Sequence, residues 1–263
     1  MTKNPRHIET EIEVPGTPEQ VWEAIATGPG ITAWFVPTDV DERVGGTITQ
    51  HHGEGLDFEG EITAWEAPRR FAYAMDFQPT EAASRERIAA EFLVEARSGG
   101  TCLVRVVNSG YGSGPDWDRM MESTRAGWPS VLDNLRLYLT HFPGERGASF
   151  AASGLSSQSR EQAWASLTDA LGVREARVGD RVSTPPGAPT LAGVVVRAGD
   201  AELGLRLDQP GSGIAGLGAG GPGEEVHAFV RAYLYGDDAP TLAARAEAEW
   251  RAWLGERFSA AAA

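Results

Sequence analysis

Cysteine and lysine are almost missing from this 263-residue chain. Cys102 is the only cysteine, which excludes an intrachain disulfide and fits a reducing, cytoplasmic setting. Lys3 is the only lysine and lies in a terminus prone to fray, so Schiff-base chemistry has no candidate residue. Positive charge is scarce as well: 23 basic residues face 37 acidic ones, for a net charge of −14. Such a surface repels phosphate backbones and argues against nucleic acid as a partner. No apolar run approaches the roughly 20 residues of a membrane-spanning helix, so no membrane span is expected. Met1 to Glu11 is polar and lacks the basic start and apolar middle of a secretory signal. Metal-ligand spacing is absent too. His51 and His52 are adjacent on a strand and point to opposite faces, while His7, His141 and His227 are scattered. No cofactor is expected.

What the chain does have is alternation. Ile8, Thr10, Ile12 and Val14 alternate with Glu9, Glu11 and Glu13, a strand with one wet face. Thr17 then Pro18 start a short helix whose apolar face is Val21, Trp22 and Ile25. Gly28-Pro29-Gly30 should break it, and a second short helix is expected from Ile31 to Phe35. Strand signals follow: two short strands around Gly45-Gly46, then Leu56 to Ile62, Phe71 to Phe77, Ile88 to Ala96 and Cys102 to Asn108. Successive hairpins imply an antiparallel sheet with one buried face. Met120, Met121, Thr124, Trp128, Val131, Leu132, Leu135 and Leu139 then recur at helical spacing, with Asp116 as a cap and Pro129 inside.

Several local motifs fall in a telling order. Pro18-Glu19-Gln20-Val21-Trp22 opens the first helix, and Gly30 to Trp34 follows. Gly45-Gly46, then Gly60-Glu61-Ile62 through Pro68-Arg69-Arg70-Phe71, mark the sheet. Gly127-Trp128 and Leu132 to Leu135 mark the long helix. Together they resemble the START/SRPBCC superfamily, in the branch related to the activator of the heat-shock chaperone ATPase, over residues 6–142. That resemblance implies an α+β helix-grip fold: a curved antiparallel sheet around a long C-terminal helix, with a cavity between them.

The second half repeats the first in weakened form. Glu161-Gln162-Ala163-Trp164 echoes Glu19-Gln20-Val21-Trp22. Arg177-Val178-Gly179-Asp180 echoes Arg43-Val44-Gly45-Gly46. Leu191 to Val195 echoes Phe58 to Ile62, and Ala248-Glu249-Trp250 echoes Ala126-Gly127-Trp128. The expected organisation is a domain over 1–146, an Ala/Ser/Gly-rich linker over 147–159 and a trimmed copy over 160–263. The copy should lack a first strand, the second short helix and the strand before the last, where Pro210 to Gly223 is nearly all glycine. A trimmed sheet leaves edges to cover, against the first domain or a second chain in a homodimer.

Catalytic signatures are weak. Gly211 to Gly216, with Asp237 beyond, matches a dinucleotide fingerprint. It follows Pro210 and lies in no strand–turn–helix context, so it reads as a loop. Asp57, Glu59 and Glu61 share a solvent face. Cys102 is in phase with Val104 and Val106 and reads as buried. What remains is an aromatic and methionine set suited to a hydrophobic guest. Its candidates are Trp34 and Phe35 at the mouth and Phe58, Tyr73, Met75, Met120, Thr124 and Trp128 within, with Asn108 as a further polar contact. Binding of a small hydrophobic or amphipathic molecule is the expected function. A cyclase, aromatase or hydrolase using the same cavity, with Tyr73 or His51 as acid or base, is the first alternative. A module regulating the chaperone ATPase is the second.

Overall fold

The computed structural model describes residues 6–53, 55–221 and 225–258. Lys3 lies outside them. The chain divides into two compact units, Met1–Arg146 and Gly147–Ala263.

The first unit begins with β1 (His7–Pro15), whose outward glutamates leave Ile8 and Val14 to the core. Thr17 then caps α1 (Pro18–Ala26) through a reciprocal capping box with Gln20, so two orphan N–H groups are satisfied at once. The next helix, α2 (Gly28–Thr32), starts earlier than its sequence suggests. Gly28-Pro29-Gly30 forms its first turn because Thr27 caps it, with Thr27 Oγ1 accepting from Gly30 N at 3.1 Å. Gly30 is required there, since a side chain would strike the Glu23 carbonyl. Next come β2 (Thr38–Val40), β3 (Thr47–His51), β4 (Asp57–Glu66), β5 (Arg70–Phe77), β6 (Glu86–Arg97) and β7 (Thr101–Ser109). All pairs are antiparallel, in the order β1-β7-β6-β5-β4-β3-β2. The unit ends on the 27-residue α3 (Pro115–His141), which continues through Pro129. Gly114, not Asp116, is its N-cap; Asp116 Oδ2 instead accepts from Thr80 Oγ1 at 2.8 Å. This is an α+β helix-grip arrangement.

In the second unit, the expected linker is a strand. β8 (Gly147–Ser156) pairs with β13 (Val226–Tyr235) over ten residues, burying Phe150, Ala152 and Gly154 on alternate positions. It supplies the first strand the copy was expected to lack. The chain continues through α4 (Arg160–Leu171), β9 (Arg181–Ser183), β10 (Ala192–Gly199), β11 (Glu202–Gln209) and β12 (Gly213–Gly220), and closes with α5 (Ala239–Arg257). β12 corrects a second expectation: most of the glycine-rich segment is a central strand between β11 and β13, not a loop. Glycine is needed because the Phe229 ring occupies the place of a Gly218 side chain, and one at Gly213 would collide with the Tyr233 carbonyl. Pro222, Gly223 and Glu224 lie outside the described residues. The sheet order is β8-β13-β12-β11-β10-β9.

Hydrogen bonding repeats between the units at the positions where the sequence repeats. Gly45 N donates to Ile62 O, and Gly179 N to Val195 O. Ile62 N donates to Gly46 O, and Val195 N to Asp180 O. The strand pairs break register at matching places, between Ile62 and Ala64 and between Val195 and Arg197. Ser159 and Gln162 rebuild the capping box of Thr17 and Gln20. A second short helix and a counterpart of β2 are missing among the described residues, so the trimming is real but smaller than expected.

Candidate functional site

The inner face of the first sheet and the helices above it bring the aromatic residues together. Alternation fixes which residues point inward: Phe71, Tyr73, Met75 and Phe77 on β5, Ile88, Ala90 and Phe92 on β6, and Val104, Val106 and Asn108 on β7. Phe35, just past α2, stacks on Trp128 of α3 at 6.2 Å between ring centroids, and Trp128 meets Phe92 edge-on at 5.9 Å. From Phe35 a second line of rings runs outward through His52, Phe58, Phe77 and Trp117 to Tyr111, with centroid spacings from 4.9 to 6.2 Å. Such offset and edge-to-face contacts are the favoured aromatic geometries.

The sequence suggests a hollow here; around Tyr73 the structure leaves little of one. Ile25, Ile31, Trp34, Phe35, Gln50, Phe71, Tyr73 and Phe92 enclose only about 10 Å³, room for a single water. Trp34 is therefore not a mouth residue. It is fully buried, and its indole N–H donates to the Ala24 carbonyl at 2.8 Å, tying α2 to α1. Met75 is buried beneath the rings. Phe35, Phe58, Met120, Thr124 and Trp128 are each only half-buried. Among the first seventeen residues of α3, Trp117 alone is buried, whereas Leu132, Leu135, Leu137, Tyr138 and Leu139 seat the remainder firmly. A larger cleft, about 230 Å³, lies in the second unit around Leu242, Ala246 and the Arg245–Glu249 ion pair.

Polar groups are few inside. Gln50 Nε2 donates to the Tyr73 hydroxyl at 3.2 Å. Burial pushes the Tyr73 phenol up to about 12, against a smaller opposing effect of Gln50, so it is neutral at physiological pH. Tyr111 is likewise raised by burial, and a hydrogen bond with Thr124 partly offsets this. Thr124 Oγ1 donates to the Met120 carbonyl at 2.8 Å. Asn108 Oδ1 is buried without a hydrogen bond. Alternation also marks Gln50, which shares its phase in β3 with the buried Ile48; Gln50, Phe92 and Tyr111 are absent from the sequence-based candidates.

The histidine pair splits as strand geometry demands. His51 bridges Asp57 Oδ1 at 2.9 Å and Asp39 Oδ2 at 3.1 Å on the outer side, while His52 packs against Phe35 and Phe58. The bonds to Asp39 and then Asp57 raise the His51 pKa. Cys102 is buried, its thiol raised first by burial, and it donates to the Gly16 carbonyl at 3.4 Å, which suits packing rather than nucleophilic attack. Asp57, Glu59 and Glu61 face solvent. Among the described residues no group of three or more His, Cys, Asp or Glu is arranged to hold a metal ion. No helix among them is long and apolar enough to cross a membrane.

Residues 15–140 match the family model described as activator of Hsp90 ATPase homolog 1-like protein. No curated protein matches the chain. Among solved structures, protein MLL2253 from Mesorhizobium loti is 23% identical over 52% of this chain and 98% of its own, with a TM-score of 0.47. The di-domain ARO/CYC BexL from the BE-7585A biosynthetic pathway is 13% identical, covering 98% of this chain and 100% of its own, with a TM-score of 0.47. The Aha1 dimer from Colwellia psychrerythraea is 20% identical over 53% of this chain and 99% of its own, with a TM-score of 0.43. The chain thus carries, over residues 15–140, an AHSA1-like domain of the SRPBCC superfamily, followed by a second sheet domain.

Proposed function

We propose that the first unit binds a small hydrophobic or amphipathic molecule between its sheet and the first half of α3. The observation that supports this is the unequal seating of that helix. Its second half is anchored by five buried residues and its start by the buried Trp117, whose indole N–H donates to Ser84, while Met120, Met121, Thr124 and Trp128 between them stay half-buried. Pro129 marks the division, and proline removes a backbone donor there. A segment with little buried apolar surface opens at low free-energy cost. Displacing the stretch from Met120 to Trp128 uncovers Phe35 and Phe92, on which Trp128 packs, a lining that a flat apolar guest can cover, and methionines adapt to the shape of the guest. Binding that needs such opening is slow to associate.

The interior suits binding better than catalysis. Tyr73 and Tyr111 are held neutral by burial, His51 points outward to two carboxylates, and His52 packs between Phe35 and Phe58. Tryptophan fluorescence and thermal melting of the full chain, followed against a panel of lipids and aromatic metabolites, test the proposal. A saturable change in fluorescence with a raised Tm is expected for at least one class. If no class produces either response, the reading is wrong.

A further inference from the structure

Asn108 has a polar atom that the fold leaves unanswered. Its Oδ1 is buried and accepts no hydrogen bond. Native proteins keep few such groups, because each retains its desolvation penalty without compensation. Asn108 is in phase with Cys102, Val104 and Val106, so it points to the inner face. It pairs with Ala90, and Ala90 with Tyr73, which places the three in one row across β7, β6 and β5. Neighbouring strands stand roughly 4.8 Å apart, so the Tyr73 and Asn108 Cα atoms are about 10 Å apart. Ala90 between them offers only a methyl group as floor. At the far end of the row, the Tyr73 hydroxyl accepts from Gln50 and keeps its own proton to give. The inward positions of β1 and of β3 to β7 carry no Lys or Arg, and their one carboxylate is Glu86, opposite Phe77 at the start of β6.

Resting on the binding reading above, we propose that Asn108 and Tyr73 select the guest. It is an uncharged molecule whose hydroxyl or N–H docks on Asn108 Oδ1 and whose carbonyl-type oxygen accepts from the Tyr73 hydroxyl. An anionic guest is rejected because no Lys or Arg on this face replaces the water it would lose, and Glu86 repels it. A hydrocarbon is tolerated but leaves the Asn108 oxygen unpaired.

Three probes sharing one ring system separate these cases: acetylnaphthol, acetylnaphthalene and hydroxynaphthoate. The wild-type chain should bind acetylnaphthol about tenfold more tightly than acetylnaphthalene, the worth of one hydrogen bond to an otherwise orphaned acceptor, and the carboxylate most weakly. Asn108→Leu should erase the tenfold preference while keeping acetylnaphthalene affinity, and should raise the Tm of the guest-free protein. Asn108→Ala repeats the test without the bulk of leucine. A wild-type chain indifferent to the hydroxyl, or a preference that persists in both variants, overturns this assignment and leaves guest binding standing. Failure of all three probes to bind removes the binding reading together with the assignment.

Discussion

The two units share strand wiring, a capping box and a register break, yet their helices meet their sheets differently. In the second unit, α5 faces inward with Ala239, Ala243 and Ala246, then Trp250, Trp253 and Leu254, all buried. Its partner strand is cut to match: a side chain at Gly154 would collide with Leu254 O and Phe258 Cβ. Small residues on both surfaces let the helix sit flush, and Trp250 fills what remains even though its indole N–H is left without a partner. In the first unit, α3 presents Met121 and Thr124 where α5 presents Ala243 and Ala246, and Trp128 where α5 presents Trp250, and these three stay half-buried. A shared helix-grip frame thus closes in two ways, and the side chains on the closing helix set how tightly it seats.

The paired tryptophans give the sharpest way to break this comparison. Trp250→Ala should cost about 3–5 kcal/mol in denaturant unfolding, as a large deletion in a packed core does. Trp128→Ala should cost only about 1 kcal/mol, for partial burial, while abolishing the fluorescence response to a guest. Equal losses at the two sites would deny that the units are closed differently. The paired glycines come next. A methyl at Gly193 would collide with the Arg206 carbonyl, a backbone atom, whereas at Gly60 it meets the Ala74 carbonyl at 3.0 Å. Gly193→Ala should therefore destabilise by about 2–3 kcal/mol and Gly60→Ala by about 1 kcal/mol. Removing either cap, Thr17→Ala or Ser159→Ala, should cost about 1 kcal/mol in both units alike, which tests what they share.

The smallest expected effect is a pH dependence belonging to the first unit. Its hydrogen bonds to Asp39 and Asp57 raise the His51 pKa above its ordinary value of 6.5. The stabilisation is fully present below that value and is lost as pH rises through the raised folded-state value. Solvent screening keeps it small at this exposed site. Thermal melts between about pH 6 and pH 8 should fall less steeply with pH in His51→Gln than in the wild type.

Much of the frame is legible in the sequence, because charged residues alternate with apolar ones in β1 and β4 and Trp22, Trp128, Trp164 and Trp250 recur in matching contexts. Where signals fail, they fail for one physical reason. β8 reads Gly-Ala-Ser-Phe-Ala-Ala-Ser-Gly-Leu-Ser, and β12 is half glycine, because both lie against surfaces that leave no room for larger side chains. Small residues carry no hydrophobic period, so tight packing looks like a linker or a loop. Gly28-Pro29-Gly30 misleads in the same way, since it is the start of a capped helix pressed against another. The inner face itself could be listed from alternation, but not the volume left above it. Whether Trp34 faces a guest or anchors α2 depends on an indole hydrogen bond to Ala24 that no periodicity reveals.

The unlike edges of the two sheets also bear on how the chain avoids tangling while it is made. Tandem copies of one topology invite a strand from one to pair in the other. Here the first strands are not interchangeable. β1 sends Glu9 and Glu11 to Arg105 on β7, while β8 brings no charge and only one large core side chain, Phe150, to β13. If β8 took the place of β1, Arg105 would be stranded and the isoleucines that cover β7 would be missing. If β1 took the place of β8, Ile8, Ile12 and Val14 would meet a helix shaped for glycine and alanine. The chemistry of the outermost strands therefore disfavours exchange between the copies.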